Sequence, residues 1–245
     1  MAERKRRHWL RWVLGGIAVL VVAAVAGPFI YIHFIEGNAP APFRLRSGAG
    51  ASTGASTGAS PGSASAAAAS GALAGTWTVG PGSEAGYRVQ EVLFGQQHTA
   101  VGRTSHVSGH LTIAGTSVTA ASFTVPMATI KSDASQRDAQ FNSRIMDTAS
   151  YPDGTFRLTS PISLAPVPAT GTIRTYTAHG ILTLHGHARA VTFPLTAKRT
   201  ATGCEVSGSI PVTFADWSIP NPSFAGVVTT QDHGLLEFLL TLGKA

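Results

Sequence analysis

The chain has 245 residues, a net charge of +6 and a single cysteine. Charged residues make up 12%, about half the usual share of a soluble globular chain. The positive excess belongs to one end: Arg4, Lys5, Arg6, Arg7 and Arg11 stand against Glu3, whereas from Ala74 onward 11 Lys and Arg face 10 Asp and Glu. Binding a polyanion takes clustered cations on the folded part, so nucleic acid is excluded as a partner. The lone Cys204 excludes an intramolecular disulfide. With Gly203 and Glu205 beside it, it lacks the electropositive setting of a reactive thiolate and reads as a small buried hydrophobe.

Residues 1–11 form a basic tail. Trp12 to Ile35 is apolar except for His33, long enough as a helix to cross a bilayer of about 30 Å with some tilt. Cations precede this run and Glu36 follows it, so the positive-inside rule places the N-terminus in the cytoplasm and the remainder outside. Ala24-Val25-Ala26 also fits a signal-peptidase site. Cleavage there would leave a greasy new N-terminus at Gly27, so a single-pass anchor in the cell membrane is the favoured reading. Residues 36–74 are expected to be a flexible linker. From Gly48 to Gly75 it is Ala, Ser, Gly and Thr apart from Pro61 and Leu73, without a charge, too poor in apolar surface to offset its ordering entropy. A free chain of that kind spans roughly 30 Å root-mean-square.

Residues 75–245 change to period two. Val107, Leu111 and Ile113 alternate with Ser108, His110 and Thr112. Phe156 and Leu158, Val191 and Phe193, Val212 and Phe214, and Leu236, Phe238, Leu240 and Leu242 each share a parity. Such alternation puts one set of side chains on one face of a strand. Gly115-Thr116, Pro152-Asp153-Gly154, His185-Gly186-His187 and Thr202-Gly203 read as turns between the runs. Many short strands at close spacing predict a sandwich or a closed barrel. Ser132 to Asp138 offers helix-capping residues, and Phe141 and Ile145 follow at i and i+4, predicting one short helix between strands.

The order of motifs carries a resemblance. Thr76-Trp77-Thr78-Val79, Ser83 to Val89, Val107 to Ile113, Ala128-Thr129-Ile130-Lys131-Ser132, Gln136-Arg137-Asp138, Met146 to Pro152, Gly180 to Gly186 and Phe214 to Ile219 follow one another across the domain. This pattern resembles the YceI-like family of polyisoprenoid-binding proteins. The resemblance implies an all-β, antiparallel, lipocalin-like barrel whose lumen holds a long isoprenoid chain. The apolar parities are then the expected lumen residues: Leu111, Ile113, Phe123, Val125, Phe156, Leu158, Leu182, Leu184, Val191, Phe193, Val212, Phe214, Phe238 and Leu240. Arg137 and Asp138, inside a family-like motif, are candidate head-group contacts, set against a purely local role in fixing the helix.

Catalytic signatures are missing: no G-x-S-x-G elbow, no H-E-x-x-H, no Walker loop. His185 and His187 fall at a turn, His110 lies on a polar parity, and no carboxylate or cysteine completes a zinc set. No metal and no cofactor other than a bound lipid is expected. The sequence predicts a tethered binding module for a polyisoprenoid or similar apolar lipid. An envelope scaffold or stress protein with an incidental cavity, or an enzyme acting on such a lipid, are the alternatives.

Overall fold

The computed structural model describes residues 39–45, 73–93, 95–223 and 228–245. The basic tail and the apolar run 12–35 lie outside these residues. Among the described residues no helix is long and apolar enough to cross a membrane.

The domain contains β1 (Gly75–Val79), β2 (Glu84–Leu93), β3 (Gln96–Thr104), β4 (Ser108–Ala114), β5 (Ser117–Pro126) and β6 (Lys131–Ser132). Helix α1 (Ser135–Gln140) and a π-turn (Phe141–Ile145) follow. Then come β7 (Asp153–Leu158), β8 (Ile162–Ser163), β9 (Ile173–Leu184), β10 (His187–Arg199), β11 (Gly203–Thr213), β12 (Val228–Thr230) and β13 (His233–Lys244). The path β1-β4-β5-β7-β9-β10-β11-β13 closes on itself because β13 also pairs with β1, giving an antiparallel ring of eight strands. Eight strands leave an interior just wide enough for side chains or one slender ligand. The expected all-β antiparallel barrel with one short helix is the fold observed.

Strand β13 pairs with β11 along one edge and with two further partners along the other. Its Leu242–Lys244 segment pairs with β1, and Leu235–Leu239 pairs with β2. The wall therefore continues through β2 and β3 to β6, and α1 stands where that extension ends. The β9–β10 hairpin shows why these residues make these elements. Leu184 and His187 pair across a two-residue turn in which His185 (φ 47°) and Gly186 (φ 75°) are both left-handed. That is the turn whose twist matches the flanking strands.

Three expectations shift. Asp153 and Gly154 already belong to β7, paired with Pro126 and Val125. The turn lies earlier, where the Ser150 and Tyr151 amides both donate to the Asp147 carbonyl at 2.9 and 2.8 Å. Gly203 likewise opens β11, opposite Gly243. The N-cap of α1 is Ala134, without a side-chain cap. Asp138 instead reaches back from inside the helix, accepting from the Ser132 amide and hydroxyl, each at 2.8 Å.

The stretch 36–74 is not uniform. Residues 39–45 lie on the outside of the barrel, with Phe43 partly buried. The Phe43 carbonyl accepts from Ser207 Oγ at 3.2 Å. At the other end of the stretch Leu73 is buried, and its carbonyl accepts from Trp77 Nε1 at 2.8 Å. Leu73, in the stretch expected to be linker, thus packs with the barrel, because the indole needs an acceptor and Leu73 supplies both that and a core side chain.

Candidate functional site

The alternation of each strand sends one parity inward, and these side chains enclose a cavity of about 220 Å3. Such a space far exceeds the roughly 10–15 Å3 that one water needs and admits a segment of hydrocarbon chain. Its walls are hydrocarbon from every ring strand. Leu111 and Ile113 (β4), Phe123 and Val125 (β5), Phe156 and Leu158 (β7), Leu182 and Leu184 (β9), Phe193 (β10), and Phe238 and Leu240 (β13) all line it. Phe193 meets Phe156 edge-on at 5.4 Å and Phe238 edge-on at 6.0 Å. Glycine makes room for these rings: a Cβ on Gly180 would stand 2.3 Å from Phe156, and one on Gly208 2.7 Å from Phe238. Tyr176, Lys198 and Arg199 line the cavity where β10 turns into β11, and Lys198 Nζ is 2.7 Å from Glu205 Oε2.

A second cavity of about 100 Å3 lies under α1. The two spaces share Met127, Ile130, Leu184 and Leu236 as walls. Val212 and Phe214, expected in the main lumen, line this smaller space instead, because β11 has by then run to the α1 end of the barrel. Val191 lines neither cavity and only packs against the core from a partly buried position. Of its strand only Phe193, Leu195, Ala197, Lys198 and Arg199 line the lumen.

The smaller cavity has a polar side. Tyr87 stacks on Phe141 at 5.1 Å. Burial drives the Tyr87 phenol above its ordinary pKa, while the nearby Arg137 guanidinium pulls it the other way. Glu91 Oε1 sits 2.9 Å from His98 Nδ1 and 3.4 Å from Arg137 Nη2. Arg137 also pairs with Asp133 one helical turn back. Arg137 thus lines the smaller cavity as one edge of an ionic cluster, whereas Asp138 lines neither space and is taken up by Ser132.

The YceI-like domain family matches residues 77–242, which is most of the chain and runs from within β1 to within β13. The chain belongs to the YceI-like family. Among solved structures, a polyisoprenoid binding domain from Saccharophagus degradans has 18% identity and a TM-score of 0.58, covering 70% of this chain and 99% of that one. At that identity the likeness concerns the YceI-like fold. Burkholderia cenocepacia BcnA has 19% identity and a TM-score of 0.47, over 63% of this chain and 95% of that one. A Campylobacter jejuni YceI protein has 14% identity and a TM-score of 0.42, over 57% and 83%. No curated protein matches.

Sequence reasoning missed several residues of this YceI-like barrel. Cys204 lines the main cavity, and burial pushes its thiol up to about 11. Ala178 and Gly180 continue the inward parity of β9 with small residues, and Glu91 shares the parity of Tyr87 and Val89 but carries a charge. Only the period itself, followed through small and charged residues, would have found them. Among the described residues no group of His, Cys, Asp and Glu is arranged to hold a metal ion. His185 packs on Tyr151 at 4.5 Å.

Proposed function

We propose that this protein is a membrane-anchored, extracytoplasmic lipid-binding module that holds a polyisoprenoid or similar long apolar chain in its barrel lumen. The observation that carries this reading is the hydrocarbon-walled cavity inside the closed ring. Ligand class is supported by family membership and by the Saccharophagus degradans domain of the same fold, which is described as polyisoprenoid binding. Burial of a chain contributes about 0.8 kcal/mol per methylene, so affinity accumulates with length and needs no polar contact. Met127, Ile130, Leu184 and Leu236 stand between the main cavity and the smaller one, so a longer chain would reach the space beside the Glu91–Arg137 cluster only by moving those side chains. The role is binding or carriage, without turnover. The anchor is the run Trp12–Ile35 behind the basic tail.

The test is solvent extraction of the purified full chain and mass spectrometry of the extract. A long isoprenoid lipid should be recovered from the native protein. An extract without lipid would favour an envelope scaffold whose cavity is incidental. Phe238→Trp should lower the recovered lipid while the melting temperature stays close to that of the native protein, since added volume in a ligand space displaces ligand first. Overpacking a solid core typically costs about 1–3 kcal/mol. A large stability loss with unchanged lipid would place Phe238 in such a core.

A further inference from the structure

The outer face of β2, β3 and β13 carries something unusual for a barrel exterior, a buried carboxylate. Glu237 is 5% exposed. Its Oε1 lies 2.9 Å from Arg88 Nε, and its Oε2 lies 3.9 Å from Arg103 Nη2. Residues 39–45 lie across this cluster. Arg88 Nη2 donates to the Pro40 carbonyl at 2.6 Å, Arg103 Nη2 donates to the Ala41 carbonyl, and the Arg103 guanidinium lies 4.0 Å from the centre of the Phe43 ring. Ser207 on β11 donates to the Phe43 carbonyl at 3.2 Å. Proline at 40 and 42 favours an extended backbone that has fewer amide donors and leaves its carbonyls open. Two arginines that need acceptors are what such a segment fits.

We propose that residues 39–45 are a strap that seats the barrel against the membrane surface, and that the length between the anchor and the domain is the three residues Glu36 to Asn38. The membrane half of this proposal rests on the anchor reading of Trp12–Ile35. From Ile35 to Ala39 the extended chain reaches about 14 Å, against roughly 30 Å root-mean-square for a free linker running to residue 74. With Phe43 and Leu73 both on the barrel, residues 46–72 join two points of the same body and add nothing to its distance from the bilayer. The outer face of β2, β3 and β13 thereby becomes the membrane-facing side.

The test uses the full chain reconstituted in phosphatidylcholine vesicles that contain an acceptor-labelled lipid. A donor dye is placed at an exposed site by Lys131→Cys, in a Cys204→Val background. Energy transfer should be high in this protein. Replacing residues 39–45 by a Gly-Ser run of equal length should lengthen the mean distance by roughly 15 Å and lower the transfer. Phe43→Ser, which leaves every barrel residue in place, should move it in the same direction. Equal transfer in all three proteins, with unchanged melting temperatures, would overturn the strap. Failure of the unaltered chain to enter vesicles at all would overturn the anchor reading, and the seating with it. Failure of the strap alone leaves the chain in the vesicle fraction, so the two are told apart.

Discussion

At the scale of single residues, burial in the lumen wall raises the pKa of the Cys204 thiol and of the Tyr176 phenol. Cys204 is the clearest case. Desolvation raises its thiol from an ordinary 9.0 to about 11, and the neighbouring Glu205 carboxylate adds to the effect. A group whose pKa is raised in the fold contributes stability that is fully present below its unfolded pKa and is lost as pH climbs through the folded value. The window for Cys204 therefore runs from about 9 to about 11. At about 1.4 kcal/mol per unit, the loss across it is of the order of 2 kcal/mol. Chemical denaturation at pH 8 and at pH 11 measures this. Cys204→Val should lose less stability than the native protein between those two values. Equal losses would mean that the thiol is already hydrated in the fold. The Tyr87 phenol, raised by burial as well, titrates in both proteins and cancels in the comparison.

At the scale of elements, α1 is too short to hold itself together. Helices below about 12 residues are marginal in water without tertiary support, and α1 has six. Its support comes from outside: Asp138 grips Ser132 through two hydrogen bonds, Arg137 reaches Glu91 on β2, and Phe141 stacks on Tyr87. Asp138→Ala leaves the Ser132 amide and hydroxyl without that acceptor, which should cost about 1–3 kcal/mol. In a domain of this size that lowers the melting temperature by about 2–4 °C per kcal/mol. Lipid recovery should change no more than the stability does. A sharp loss of lipid from a protein that melts normally would instead make Asp138 a ligand contact.

At the scale of the whole molecule, residues 73–245 hold one closed ring whose core runs from Leu73 to Leu242. This piece should fold alone, with a β-rich circular-dichroism spectrum. A helical spectrum would contradict the fold. Starting two residues later, at Gly75, removes the Leu73 side chain, which is 5% exposed, and the carbonyl that Trp77 Nε1 uses. Burial of one such side chain contributes about 1.5–3 kcal/mol, so the 75–245 fragment should melt several degrees below the 73–245 fragment. Equal melting temperatures would show that the domain boundary lies at Gly75 after all.

The sequence by itself determined what depends on local chemistry. Alternation decides which face of a strand is apolar, so eleven of the fourteen expected lumen residues surround one cavity. His185-Gly186 decides a tight hairpin because both positions need left-handed backbone. Tertiary structure decided what depends on meetings between distant residues. Parity says that Val191, Val212 and Phe214 face one way, but only the closure and length of the strands say how far along the barrel each one falls. Glu237 interrupts an apolar strand as an ordinary outward charge would. Its burial follows from Arg88, 149 positions away in the chain, and from a proline-rich segment that composition alone assigns to a free linker. Such contacts join side chains whose separation in sequence carries no periodic signal, so only the folded wall brings them together.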